Sequence, residues 1–250
     1  MIINPMTKYN EVFLEKGFFV HRNFLDKIYV KKLIKEIQSA KGVQKYYDKK
    51  KNIRRIEKLY NKGSYLKLLN KKIEVFLEKI LKKKFCIFKD KYNAKPSKGE
   101  GFYAHYDGIF FFTNEKNKLK KGWYEYSSFF INVLIALDES TKKNGTIEIA
   151  KKHKGGFHKL IKNTYNDGTP KITKEIEKKT KFKPINLKIG DIVVFSNTCP
   201  HRSDKNWSNK PRRNLYYTYT YASRSSQYKK YFIDKKNSKN KTNKSLEGQK

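Results

Sequence analysis

Two cysteines in 250 residues, Cys86 and Cys199, are too few and too far apart for a disulfide framework or a Cys-x-x-Cys metal site. A reducing cytoplasm is the compartment this implies. Long apolar runs are missing as well. The longest, residues 129–137, is interrupted by Asn132 and falls far short of the roughly 20 residues a spanning helix needs. The opening MIINPMTKYNEV has no apolar core of signal-peptide length, so no membrane partner is expected. Acidic residues are scarce too: 23 Asp and Glu stand against 59 Lys and Arg, a formal net charge of +36. Such a balance points first to nucleic acid. Yet the lysines are spread along the whole chain and gather in no single stripe, and Lys, Asn and Ile are all plentiful. That pattern reads as the codon bias of an AT-rich genome, with a general attraction for small anions. A basic nucleic-acid-binding protein, or an enzyme acting on a macromolecule, is the competing reading. Oligomeric state is not encoded legibly.

What is present is a texture that changes near residue 85. Before it, 7–16 reads as a helix, and 17–24 (GFFVHRNF) is extended. Asp26 is an N-cap for a helix with apolar positions Ile28, Leu33, Ile34 and Ile37. A second helical region spans 64–83, with Leu66, Leu69, Ile73, Phe76, Leu77 and Ile80 on one side; 41–63 is lysine-rich and carries no clear period. After residue 85, short aromatic or β-branched runs follow one another: FCIFKDKYNA, GFYAHYDGIFFF, SSFFINVLIAL, GTIEIA, FKPINL, GDIVVFSN and NLYYTYTYA. Turn residues separate them, the signature of a β sandwich or barrel. One helical insert is expected at 171–180. The expected organisation is a single domain over 1–234, with a helical part at 1–84 and a β core at 85–225. A lysine-rich disordered tail is expected at 235–250.

Histidine is also sparse, at five residues, which narrows the search for chemistry. Residues two apart on a strand face the same way. If 102–107 is extended, His105 and Asp107 offer a nitrogen and an oxygen to one space. His201 follows the apolar strand 192–195 and, on an adjacent strand, completes two histidines and one carboxylate. That set holds the metal of non-haem Fe(II) oxygenases and leaves positions open for substrates. Arg212 lies eleven residues after His201, where NLYYTYTYA begins. A chain returning antiparallel would bring it back beside His201, able to take the far carboxylate of a metal-chelating keto acid through two hydrogen bonds. Arg213 is the alternative; adjacent strand residues face opposite ways, so only one points inward. His153 and His158 flank a Gly-Gly turn and read as surface residues.

An ordered set of motifs carries a resemblance: GFFVHRNFLD (17–26), Lys95-Pro96, AHYD (104–107), ALDESTKKNGTIEIAKKHK (136–154), GDIVVFSNTCPH (190–201) and HRSDKNWSNKPRRNLYYTY (201–219). Over roughly 9–225 the chain resembles the phytanoyl-CoA hydroxylase family of Fe(II)/2-oxoglutarate dioxygenases. The resemblance implies a mainly β fold, a double-stranded β-helix (jelly roll, cupin-like) with the N-terminal helices packed outside. It implies His105, Asp107 and His201 as iron ligands, Arg212 as the 2-oxoglutarate anchor, and Ser203 beside the cosubstrate. Asn132, the lone polar residue of an apolar strand, is a further pocket residue. It also implies hydroxylation of a C–H bond of a small molecule, with 2-oxoglutarate and O2 consumed and succinate and CO2 released. Tyr106 stands where glutamine is common, and Ala-Lys-Lys-His (150–153) replaces a Pro-Gly-Ser-His turn; both departures bear on the substrate pocket. Lys95, Tyr106, Trp123 and Arg202 are the substrate-side candidates, with Lys205 and Arg224 adding positive charge. The segments 41–63 and 113–126 are expected to set specificity. An aminoalkylphosphonate is the leading substrate, SSQYKKYFIDKK (225–236) being similar to family members of that activity.

Overall fold

The computed structural model describes residues 5–222 and 227–238. The chain runs α1 (Pro5–Lys16), β1 (Phe18–His21), α2 (Lys27–Ser39), β2 (Gln44–Tyr47), β3 (Ile53–Glu57) and α3 (Ser64–Leu81). It continues through β4 (Phe85–Lys95), β5 (Phe102–His105), β6 (Phe112–Thr113), β7 (Leu119–Lys120), β8 (Phe130–Ala136) and β9 (Ile147–Ile149). The rest comprises α4 (Phe157–Leu160), α5 (Lys174–Lys179), β10 (Lys183–Pro184), β11 (Ile192–Ser196), β12 (His201–Ser203), β13 (Arg212–Tyr221) and α6 (Tyr228–Asn237). Two antiparallel sheets result, ordered β1-β11-β8-β13-β4-β3-β2 and β10-β9-β12-β5, with β6 and β7 as a separate hairpin. This is a jelly roll with helices on its outside.

Strand β8 explains the layering. All seven of its residues are buried, because the strand lies between two apolar layers and reads as a continuous run. Ile131, Val133 and Ile135 face outward into a core shared with α1, α2 and α3. Leu134 and Ala136 face inward, with Val193 and Phe195 of β11, against Ile147 and Ile149 of the smaller sheet. The helices dock through the positions their periodicity marks: all six apolar residues of α3 named from the sequence are buried. Helix α2 differs by one position. Its buried stripe is Val30, Leu33 and Ile37, while Ile28 is exposed. The Asp26 cap is present, accepting from Tyr29 N at 2.7 Å. Helix α3 has no side-chain cap of its own; Glu36 of α2 reaches across to accept from Tyr65 N and Leu66 N.

Three expectations need correction. The N-terminal part is not purely helical: β1 pairs with β11, and 41–63 forms the β2–β3 hairpin that extends the large sheet beyond β4. The lysines of 41–63 fall mostly outside these strands; β2 is the exposed edge, and β3, inside it, buries the polar Arg54 and Glu57 beside Ile56, so neither strand shows an apolar alternation. The lysine-rich tail is helical at its start, since α6 runs to Asn237; residues 239–250 lie outside the described residues. His153, expected at the surface, is half-buried and hydrogen-bonded to the Tyr106 hydroxyl. No helix among the described residues is long and apolar enough to cross a membrane.

Helix α6 is held to the barrel by Asp90 of β4. This fully buried carboxylate accepts from Tyr228 Oη at 2.6 Å, Tyr60 N at 2.9 Å and Leu59 N. Asp90→Ala strands three buried donors and should lower unfolding stability by about 3 kcal/mol. Chemical denaturation checks this, with exposed Ile28→Ala as a control expected within about 0.5 kcal/mol of wild type.

Candidate metal centre

His105 ends β5 and His201 begins β12. The antiparallel register sets the two directly opposite each other, with ring centroids 4.2 Å apart. Asp107 reaches the same space by another route. Strand β5 stops at His105, so Asp107 sits in the turn beyond it and not two residues along a strand. Gly108 completes that turn at φ +77°, and a Cβ there would meet the Trp123 ring at 2.5 Å. Two amides aim the turn: Asn197 Nδ2 donates to the Asp107 carbonyl at 3.2 Å, and Asn132 Nδ2 donates to Asp107 Oδ2 at 3.0 Å. Thr218 Oγ1 fixes Asn132 in turn, donating to its Oδ1 at 2.7 Å. The ligand atoms of His105, Asp107 and His201 all lie within 4.8 Å of one another.

The donor set fits a divalent metal. His105 Nδ1 lies 2.8 Å from the Tyr103 carbonyl, and His201 Nδ1 lies 3.1 Å from the Cys199 carbonyl. A carbonyl only accepts, so each Nδ1 carries the proton and each Nε2 presents a lone pair. These Nε2 atoms stand 3.9 and 3.6 Å from the two oxygens of Asp107. Burial, reinforced by the neighbouring imidazole, pushes the pKa of His105 down to about 3, and burial lowers that of His201. Burial opposes ionisation of Asp107, but Lys91, the two histidines and Lys89 outweigh it and hold the carboxyl at about 2. Two neutral imidazoles and one carboxylate thus face a common point.

Arg212 does not return beside His201. It lies in the other sheet, paired with Lys95 of β4, because the chain crosses between sheets after β12. Its guanidinium is buried and donates to the Gly145 carbonyl at 2.7 Å. With the Asn214 amide oriented to satisfy both neighbours, its oxygen accepts from Arg212 Nη1 at 2.7 Å. Arg212 Nε is buried without a partner. Arg213 turns away into a two-pronged ion pair with Asp138, both contacts at 2.7 Å, so Arg212 is the one pointing inward. Lys95 and Ser203 join this end: the ammonium, 1% exposed, donates to Ser203 Oγ at 2.9 Å and to the carbonyl of Gly145, the acceptor it shares with Arg212.

The substrate-side candidates separate. Trp123 lines a cavity of about 160 Å³ that opens on Asp107. Lys95 lies instead at the Arg212 end. Tyr106 is fully buried, its hydroxyl tied to His153 and Asn163, and lines no part of the cavity. Arg202 points outward into ion pairs with Glu148 and Glu177, both at 2.8 Å. Lys205 pairs with Glu100, and Arg224 lies outside the described residues. Asn132, expected beside the cosubstrate, spends its amide on Asp107 and Thr218. The residues that sequence reasoning missed are Arg55, Lys89, Lys91 and Lys235, which line the cavity with Tyr231. A signal existed for two of them: Lys89 and Lys91 are two residues apart in a strand with an aromatic and β-branched start, FCIFKDKYNAK, so they share one face.

A family model described as phytanoyl-CoA dioxygenase matches residues 13–214. Among curated proteins, the chain is 28% identical over 177 residues to a 2-aminoethylphosphonate dioxygenase of an uncultured bacterium (HF130_AEPn_1), covering 71% of this chain and 62% of that one. It is 29% identical over 153 residues to a methylphosphonate hydroxylase of Gimesia maris, covering 61% of this chain and 52% of that one. The chain therefore spans between half and two-thirds of the length of these relatives. In fold it resembles EctD from S. alaskensis, solved with 2-oxoglutarate and 5-hydroxyectoine, at a TM-score of 0.66 with 16% identity, over 86% of this chain and 75% of that one. It also resembles the epimerase SnoN, solved with Fe3+, alpha ketoglutarate and nogalamycin RO, at 0.64 with 13% identity, over 87% of this chain and 84% of that one.

Removing the hydrogen bond that aims Asp107 should weaken metal binding without abolishing it. Asn132→Ala is expected to lower Fe(II) affinity about ten- to a hundredfold, whereas His201→Ala should leave no tight binding. Anaerobic titration followed by calorimetry reads both.

Proposed function

Because this chain belongs to the phytanoyl-CoA dioxygenase family, whose members depend on Fe(II) and 2-oxoglutarate, we propose that it is an Fe(II)- and 2-oxoglutarate-dependent oxygenase hydroxylating a C–H bond of a small anionic molecule. One observation carries this reading: two imidazoles, each with Nδ1 committed to a backbone carbonyl, aim their Nε2 lone pairs at the carboxylate of Asp107. His105, Asp107 and His201 would hold the metal, with all other coordination positions left to cosubstrate and oxygen. Bound iron, with 2-oxoglutarate and O2, supplies the oxidising chemistry.

The chain's own residues supply placement. Asn132 restrains one oxygen of Asp107, which keeps that carboxylate's orientation fixed. Arg212 holds a buried positive charge with one N–H unanswered, an arrangement suited to the far carboxylate of 2-oxoglutarate. Lys95 stands beside it through the shared Gly145 carbonyl and donates in turn to Ser203 Oγ. Apolar walls from Leu134, Val193 and Phe195 keep water from the space between the sheets. Asp107 and the two histidines need no proton transfer to become ligands, since the histidines are already neutral and the carboxyl ionised.

The leading substrate is an aminoalkylphosphonate. Supporting it are the two relatives named for phosphonate chemistry and the small, cation-lined cavity beside Asp107. The test is a screen of small anions that reads succinate release together with substrate loss. 2-Aminoethylphosphonate and methylphosphonate should drive succinate release in wild type, and His105→Ala should abolish it. If no phosphonate stimulates turnover while another class does, the substrate assignment fails and the oxygenase reading stands. Iron binding untouched by changes at His105, Asp107 and His201 would end both. Arg212→Ala should raise the KM for 2-oxoglutarate about a hundredfold, the loss of one buried charge-assisted contact of about 3 kcal/mol. Arg213→Ala, whose partner is Asp138, should leave that KM unchanged.

A further inference from the structure

Building on the oxygenase reading, we propose that the cavity beside Asp107 takes the charged end of the substrate as a phosphonate or phosphate dianion, held by Lys89, Lys91 and Arg55.

Charge is the first ground. Four cations line this cavity, Arg55, Lys89, Lys91 and Lys235. Asp107 belongs to the metal, and two further carboxylates, Glu57 and Asp90, act on Lys89 without lining the cavity; Asp90 is taken up by Tyr228, Tyr60 and Leu59. Glu57 is already engaged: it accepts from Lys235 at 2.5 Å and lies 3.8 Å from Arg55. Lys89 and Lys91 are left with neither a hydrogen bond nor an ion pair to any described residue. Their ammonium groups rest on aromatic rings: Lys89 on Trp123 and Tyr231 at 5.3 and 5.4 Å, and Lys91 on Tyr216 at 4.8 Å. Holding two such groups half-buried without acceptors is costly unless a ligand supplies them. Burial depresses the pKa of both lysines, opposed at Lys89 first by Glu57 and then by Asp107, and at Lys91 by Asp107.

Geometry is the second ground. Lys89 and Lys91 are two residues apart on β4 and so share a face, about 7 Å apart along the strand. Long side chains from such positions can converge on different oxygens of one tetrahedral group. Two ammonium groups without a hydrogen-bonding acceptor match the several oxygens of a dianion, whereas a single carboxylate offers only two. Arg55 stands on the neighbouring strand β3, which pairs with β4, and its Nε is buried without a hydrogen bond. At about 160 Å³ the cavity is smaller than the roughly 300 Å³ at which pockets begin to hold drug-sized ligands, so the rest of the substrate is short. Arg212, Ser203 and Lys95 do not line this cavity, so it is separate from the group proposed to hold the cosubstrate.

The experiment uses the full-length protein loaded with Fe(II) and 2-oxoglutarate in the absence of O2, titrated calorimetrically with 2-aminoethylphosphonate and, separately, with inorganic phosphate. Lys89→Met and Lys91→Met should each weaken 2-aminoethylphosphonate binding about thirtyfold, the size of one lost charge-assisted contact. Affinity for 2-oxoglutarate should stay within about twofold of wild type, a margin well inside 0.5 kcal/mol. Lys89→Arg keeps the charge and the ring contact and should retain most of the affinity, which also controls for folding. Three results would overturn the proposal: unaltered phosphonate affinity in both methionine variants, an equal loss of 2-oxoglutarate affinity, or a wild-type protein that binds metal and 2-oxoglutarate but neither anion. A wild-type protein that binds neither metal nor 2-oxoglutarate would instead sink the oxygenase reading on which this one rests.

Discussion

The register between β5 and β12 is the constraint on which the site depends. Shifting one strand by a single residue would turn every side chain to the other face and separate His105 from His201. Neither strand is long enough to fix that register alone: β5 has four residues and β12 three. Their neighbours fix it. On one flank, β12 pairs with β9, placing His201 opposite Ile149. On the other, the chain near residue 171 covers the free edge of β5, with Ile172 N donating to the Ala104 carbonyl at 3.0 Å. Gly101 lets the two strands close up, since a Cβ there would meet the Ser203 carbonyl at 2.3 Å. A candidate metal centre made of two short strands is thus held in register because backbone on both flanks clamps it.

The large sheet divides its labour by face. Its outward residues on β8 and β13, such as Val133 and Tyr217, build the apolar contact with α1–α3. Its inward residues on β4 and β13 are Lys89, Lys91, Lys95, Arg212, Asn214 and Thr218, a set no ordinary core would bury. The outer face therefore carries most of the burial energy, and the inner face can hold polar groups that fit ligands. Where those groups bond one another, as Thr218 to Asn132 to Asp107, they form a chain that transmits position to the metal ligands. Where they lack partners, as at Lys89 and Lys91, they form a receptor.

Much of this was legible in the sequence because the signals were local. Periodicity placed α3, Asp26 announced α2, and the aromatic runs after residue 85 became β4, β8, β11 and β13. His105, Asp107 and His201 could be named because so few histidines competed. What failed to show was long-range. Nothing local says that β2 and β3 join the edge of a sheet whose other strands lie far downstream, and lysine-rich composition hid their extended backbone. The position of Arg212 was foreseen as inward but in the wrong sheet, since a three-residue strand such as β12 leaves no periodic trace from which to follow the crossover. Tyr106 and Arg202 looked like pocket residues by sequence neighbourhood; one faces away from its ligand neighbours into the core, and the other is held outside by Glu148 and Glu177.

Helix α6 contributes Tyr231 and Lys235 to the cavity lining, yet it follows every strand among the described residues. A nascent polypeptide that has left the ribosome as far as Tyr221 already holds both sheets and all three metal-ligating side chains. It still lacks Tyr231 and Lys235, the part of the cavity lining that α6 supplies. The proposed metal site is thus complete in the emerging chain before the cavity beside it is closed on its outer side.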